Sequence, residues 1–196
     1  MEKKREVVVF DFDGTLTKKD TFLEFIKFVF GKRAFCIGFF IHSPLLLLMK
    51  LGLYPNSKTK QQVFSWYFKG MSYDKFAKLG DKFADVIVKN EETFNILQKH
   101  KSEESEIYVI SASIEEWVRP FCFRAGIMNI LATQVGVDSQ GTLTGKFTTS
   151  NCYGKEKVHR LLEVEPDREE YYLYAYGDSK GDKDIILFAD KGAYIK

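Results

Sequence analysis

The chain has 196 residues, enough for one main domain, an insertion and a sizeable core. Hydrophobic residues make up 45% and charged residues 29%, a balance that excludes a disordered chain. A net charge of +2 supplies no field for a nucleic-acid partner. The three cysteines, Cys36, Cys122 and Cys152, are widely spaced and form no CxxC, which excludes a disulfide framework or zinc site and suits reduced, cytoplasmic thiols.

The chain opens on "MEKKREVVVFD", whose apolar run ends at Asp11 and is too short for a signal peptide. Val7 to Phe10 is continuous and mostly β-branched, so it predicts a strand buried on both faces of a parallel sheet. Residues 18 to 100 read as almost wholly helical, in "TFLEFIKFVFGKR", "KTKQQVFSWYFKG" and "SYDKFAKLGDKFADVIVKN". The last carries Phe76, Leu79, Phe83, Val86 and Ile87 at helical spacing. These residues predict an inserted helical cap at 18–100, with the core at 1–17 and 101–196. Ala34 to Tyr54 is the most apolar stretch, interrupted by His42, Ser43, Pro44 and Lys50. Buried cap helices are the first reading; a surface that enters a membrane or holds a greasy substrate is the second. A full membrane span, which needs about 20 apolar residues, is the third.

"IYVI" (Ile107 to Ile110) and "YYLYAY" (Tyr171 to Tyr176) predict two further strands, and "AYIK" at the C-terminus a fourth. Helical patterns "EEWVRPFCFRAG", "GKEKVHRLLE" and "DKDIILFADKG" lie between or beside them. Thr133 to Phe147 alternates about the turn "DSQG" and predicts a β-hairpin projecting from the sheet. The fold class is therefore α/β: a Rossmann-like parallel sheet with a helical cap and a small hairpin. Chemistry in such sheets lies beyond the carboxyl ends of the strands. The polar clusters "DFDGT", "SAS" and "GDS" fall there.

Asp11 and Asp13 are two apart at a strand end and can face one space. Like charges so close need a cation or a proton between them, and a hard cation such as Mg²⁺ prefers oxygen ligands. Gly14 permits the tight turn that follows, and Thr15 can bond the turn backbone or a substrate phosphate. Lys155 and Lys157 lie roughly 200° apart on a helix, so only one can face a site. His42, His100 and His159 have no metal-ligand spacing.

"DFDGTLT" resembles the first motif of the haloacid dehalogenase superfamily of phosphohydrolases. Ser111 is similar to its second-motif phosphate binder, Lys157 to its third-motif lysine, and "YGDSKGDKD" to its fourth motif with Asp178 and Asp182. The insertion resembles the helical cap of the phosphoserine-phosphatase-like branch. The resemblance implies Asp11 as nucleophile and Asp13 as general acid and then base. It implies a Mg²⁺ site from Asp11, Asp178, Asp182 and the backbone carbonyl of Asp13. Thr15, Ser111, Ala112 and Lys157 would then hold phosphate.

The resemblance further implies a phosphorylated small molecule as substrate. Asp20 stands where phosphoserine phosphatases carry a glutamate that meets the substrate amine, but no arginine occurs between Arg33 and Arg119 to meet a carboxylate. Lys50, Lys58 and Lys69 are the cap cations considered in its place. The apolar cap segment is similar to that of phosphatidylglycerophosphate phosphatases, so a lipid phosphatase at the inner membrane face is the alternative to a cytoplasmic enzyme. A phosphotransferase and a catalytically silent binding module are the remaining readings; the intact acidic set speaks against the last.

Overall fold

The computed structural model describes residues 4–195. Strand β1 (Arg5–Phe10) leads into a single wide turn, closed by the Thr17 amide on the Phe12 carbonyl at 3.0 Å. Three helices follow: α1 (Thr21–Lys50), α2 (Asn56–Phe68) and α3 (Tyr73–Ala84). Helix α4 (Glu91–Ser102) precedes β2 (Glu106–Ile114), α5 (Glu115–Arg124) and β3 (Asn129–Thr133). A hairpin, β4 (Val135–Val137) and β5 (Leu143–Phe147), leads to α6 (Lys155–Val164). Strand β6 (Tyr171–Gly177), helix α7 (Lys183–Phe188) and strand β7 (Lys191–Tyr194) complete the chain. Lys196 of the expected last strand lies outside the described residues.

Five strands form one parallel sheet in the order β3-β2-β1-β6-β7. The central strand explains its own composition. Val8 and Phe10 point into one core with Trp117, Phe121 and Leu97, while Val7 and Val9 point into a second with Leu161, Leu173 and Ile185. Both faces are covered, so alternation of polar and apolar residues is absent. Phe10 pairs with Val109 on one side and Tyr176 on the other, which brings Asp11, Ser111 and Asp178 to one end of the sheet.

Several expectations change. Strand β3 is not signalled by its sequence; "NILAT" alternates weakly and becomes a strand by pairing with β2. Helix α3 stops at Ala84, so Val86 and Ile87 lie beyond it, with Val86 exposed. The expected hairpin lies outside the main sheet and packs on the helical insertion: the Gly70 amide bonds the Leu143 carbonyl at 2.9 Å, and the Phe64 and Phe147 rings lie 5.1 Å apart. Helix α4, assigned by sequence to the cap, packs on the sheet through His100, whose Nε2 lies 2.9 Å from the Tyr176 hydroxyl. The chain leaves and re-enters the core side by side, with Thr17 bridged to Lys89. Helices α1 to α3 lie between that exit and return.

The largest correction concerns residues 34 to 54. His42, Ser43 and Pro44 do not break the helix, which is kinked only at Gly31 (φ 80°). The Phe40 carbonyl, which loses its usual donor at Pro44, accepts instead from Ser43 Oγ at 2.7 Å. Nor is the stretch buried. Ile37, Phe39, Phe40, Ile41, Leu47, Leu48, Leu51 and Leu53 are all exposed, Phe40 to 80%.

Candidate active site

Asp11 follows the buried end of β1, with its amide fixed on the Tyr176 carbonyl at 2.9 Å. Lys157, in the first turn of α6, is only 2% exposed and puts Nζ at 2.5 Å from both Asp11 Oδ1 and Asp182 Oδ1. Lys155 is exposed, so the structure selects Lys157. Asp182 is held in turn by Ser179, whose amide and hydroxyl donate to Oδ2 at 3.0 and 2.8 Å. Asp178 closes the group: one oxygen each from Asp11, Asp178 and Asp182 lies within 4.8 Å of the others.

Gly14 makes that closeness possible. Its φ is 77°, and a Cβ there would stand 2.1 Å from Asp178 Oδ2. Burial outweighs the attraction of Lys157 and pushes Asp11 up to about 6. Burial, then the charges of Asp11 and Asp182, raise Asp178 to about 6 as well. Burial works against the Lys157 ammonium, but the two carboxylates prevail and hold it charged. Three carboxylates facing one ammonium leave an excess of negative charge. Oxygen donors with that excess fit a hard divalent cation.

The Asp13 side chain stands apart from this trio. Its Oδ1 accepts from the Thr21 amide at 2.8 Å and the Thr21 hydroxyl at 2.5 Å, and its Oδ2 accepts from Ser113 Oγ. Trp117 Nε1 donates to the Thr21 hydroxyl at 2.9 Å, which fixes that hydroxyl from behind. Burial, then the charge of Asp20, raises the Asp13 carboxyl above its ordinary range. An acid with a raised pKa, locked in one orientation, suits proton transfer.

Ser111 is buried, accepts from the Ser113 amide at 2.9 Å, and keeps its hydroxyl proton to donate. Asp11, Asp13, Gly14, Ser111, Ala112, Lys157, Asp178 and Asp182 all border one cleft of about 340 Å³, together with Lys18, Lys19 and Asp20. Thr15 is not brought there. It is fully buried, its hydroxyl lacks a partner among the described residues, and it does not border the cleft. The turn that presents Asp13 rotates the next side chain but one into the core.

A second cavity of about 270 Å³ meets the cleft at Asp13, Asp20, Ala112 and Tyr153 and runs between α1 and α2. Its walls are mostly apolar, with Phe22, Ile26, Phe35, Leu46, Met49 and Val63. Asp20 also caps α1, accepting from the Leu23 amide at 3.0 Å. Lys60, from α2, donates to the Ala112 carbonyl at 2.7 Å and faces Asp13 and Asp20, though burial lowers its pKa. Lys60, rather than Lys50, Lys58 or Lys69, is thus the cap cation at the site. His42 borders the cavity and bonds the Gly38 carbonyl at 2.8 Å.

Sequence reasoning missed Lys60, Ser113, Thr21 and Trp117. Ser113 carried a signal, since it lies two residues beyond Ser111 in the cluster "SAS". Lys60 carried none that separates it from the other cap lysines.

The sequence profile described as haloacid dehalogenase-like hydrolase matches residues 8–186. Protein CicA of Caulobacter vibrioides (strain NA1000 / CB15N) is 29% identical over 192 residues, 96% of this chain and 85% of its own. Histidinol-phosphatase of Neisseria meningitidis serogroup C is 31% identical over 96 residues, 46% of this chain and 43% of its own. A protein of unknown function from Bordetella pertussis Tohama I superposes with a TM-score of 0.82 at 16% identity, covering 98% of this chain and 89% of the other. Substrate-bound phosphoserine phosphatase superposes with a TM-score of 0.69 at 19% identity, covering 98% and 86%. The likeness in structure establishes a shared fold: a parallel sheet with an inserted helical cap.

Proposed function

Because the chain belongs to the haloacid dehalogenase-like hydrolases, we propose that it is a Mg²⁺-dependent phosphomonoesterase working through an aspartyl-phosphate on Asp11. The observation that carries this reading is the division of labour between two carboxylates in one cleft. Asp11 is fixed through Oδ1 to Lys157, which leaves Oδ2 to attack. Asp13 is gripped by Thr21 and Ser113, beside the cavity where a leaving group would lie.

In the first step Asp11 Oδ2 forms a bond to phosphorus as the bond to the ester oxygen breaks. Asp13 gives its proton to that departing oxygen. In the second step Asp13, now a carboxylate, takes a proton from water while the water oxygen attacks phosphorus. The bond from phosphorus to Asp11 breaks, and inorganic phosphate leaves. Lys157 and the Ser111 hydroxyl balance charge on the non-bridging oxygens. Asp11, Asp178 and Asp182 would hold the cation, which supplies charge neutralisation for the transferring phosphoryl group. The fixed acid in Asp13 suits an alkoxide leaving group, which needs a proton, rather than a halide, which does not.

The substrate reading follows from the second cavity. A mostly apolar pocket of about 270 Å³, with Lys60 and Asp20 at its mouth, suits a small organic phosphate whose leaving group is largely apolar. The names of a relative and a structural neighbour, histidinol-phosphatase and phosphoserine phosphatase, belong to enzymes of phosphorylated small molecules, and support a small phosphate ester; the apolar leaving group rests on the cavity alone. A phosphate-release screen with and without Mg²⁺, using Asp11→Asn as control, tests the proposal. Release that needs the metal and is lost in the variant is expected; a variant with full activity overturns the nucleophile.

A further inference from the structure

We infer that the outer face of the cap helix α1 docks on an anionic lipid bilayer, lying in the interface rather than crossing it. Ile37, Phe40, Ile41, Pro44, Leu47, Leu48 and Leu51 are exposed and recur at helical spacing. They form one continuous apolar stripe along the second half of the helix. The opposite side is occupied: Phe35, Gly38, His42, Leu46 and Met49 border the apolar cavity. The helix is therefore apolar all round, with one side on protein and the other uncovered.

Charge identifies the occupant. From Phe25 to Tyr73 there is no aspartate or glutamate and there are seven lysines or arginines. The whole chain carries +2, so the remainder carries −5. Lys32 and Arg33 precede the stripe, and Lys50 and Lys58 follow it. All four are exposed and form no ion pair among the described residues. An apolar stripe flanked by unpaired cations matches acyl chains beneath anionic headgroups. A second copy of the chain fits poorly, because a two-fold contact would press two such basic segments together.

Two features place the helix on the bilayer. By length and composition α1 as a whole could cross a membrane, but its uncharged stretch between Arg33 and Lys50, Ala34 to Met49, extends about 24 Å at 1.5 Å per residue, short of the ~30 Å hydrocarbon core. Its inner side is also fastened to α2. The Tyr67 hydroxyl bonds the Ala34 and Phe35 carbonyls at 3.2 and 3.1 Å, and a Cβ on Gly38 would stand 2.0 Å from that hydroxyl. Crossing would strip α2 away. The carbonyl freed by Pro44 is already satisfied by Ser43, so the exposed turn enters an apolar phase with that acceptor paired.

Flotation of the full chain with vesicles tests this, using phosphatidylcholine alone and an equimolar mixture with phosphatidylserine. Trp66, 46% exposed and beside His42, is a native reporter against the fully buried Trp117. The chain is expected to float with the mixed vesicles, about tenfold less with the neutral ones, and less in high salt. Trp66 emission should move to the blue on binding. The double variant Phe40→Glu/Leu47→Glu should lose binding by about tenfold or more while hydrolysing p-nitrophenyl phosphate at the unaltered rate. Lys32→Glu/Arg33→Glu should lose the preference for anionic vesicles, and it serves if the first variant misfolds. Four results overturn docking: no flotation with either vesicle, unimpaired flotation of both variants, resistance to extraction by alkaline carbonate, or a dimer that the Phe40→Glu/Leu47→Glu change dissociates. Hydrolysis and flotation are read separately, so either can fail alone.

Discussion

Replacing Lys157 with methionine removes the ammonium that pairs with both Asp11 and Asp182. Both carboxylates lie 2.5 Å from it, and the residue is 2% exposed, so solvent cannot take its place. Leaving a buried charge without its partner costs about 3–5 kcal/mol. A chain of this length loses about 2–4 °C of Tm per kcal/mol, so Tm in EDTA should fall by roughly 6–20 °C. Methionine preserves the length and apolar volume of the side chain, which keeps a cavity from adding to the loss. Mg²⁺ at about 100 times its Kd returns roughly 2.7 kcal/mol, and more for a variant with an unpaired carboxylate to neutralise. The gap between variant and parent should therefore narrow in Mg²⁺. Turnover should stay low even there, by about 10²–10³-fold, because a donor to the phosphoryl oxygens is gone. Differential scanning calorimetry in EDTA and in Mg²⁺, with phosphate release alongside, reads both quantities. Equal Tm values in EDTA would refute the claim that Lys157 compensates buried acids, and Lys155→Met, at an exposed position, should change neither.

Asp13→Asn should keep cation binding, since its side chain stands outside the trio, yet slow turnover by about 10²–10⁴-fold; calorimetric titration with Mg²⁺ beside phosphate release separates the two. Gly14→Ala places a methyl 2.1 Å from Asp178 Oδ2 at φ 77°. It should cost about 1–2 kcal/mol in stability and at least about tenfold in Mg²⁺ affinity, and unchanged affinity would show that Asp178 is not held there. Glu116 borders neither the cleft nor the apolar cavity, and burial pushes its carboxyl from 4.5 up to about 7. The folded chain binds that proton more tightly than the unfolded chain, so stability falls as pH rises from 4.5 through about 7. Above that window the charged form costs up to about 3 kcal/mol; Glu116→Gln should raise Tm at pH ~8 and leave it unchanged at pH ~4. Lys60→Met removes the cation at the mouth of the apolar cavity and should alter KM for an anionic ester by about tenfold, which initial-rate kinetics measures.

Much of the site was legible in the sequence because its parts are local. Asp11, Gly14 and Asp13 are joined by one turn at the end of a strand, and strand register carries Ser111 and Asp178 to the same sheet edge. Strands buried on both faces wrote themselves as "VVVF" and "IYVI", while β3 did not, since its pairing with β2 rather than its composition makes it a strand. The sequence could narrow the lysine to Lys155 or Lys157 from the helical angle between them, and resemblance favoured the second. Burial between two carboxylates decided it.

Other features depended on what packs against what. Thr15 sits in the right motif, but the turn that aims Asp13 at the cleft sends Thr15 into the core. Lys60 is one cap lysine among several until α2 lies over Ala112. Residues 34 to 54 are apolar whether they face protein, substrate or lipid, because hydropathy records only an aversion to water. Tertiary structure divided that one helix into a wall for the apolar cavity and an uncovered face, since α2 can occupy only one of its sides.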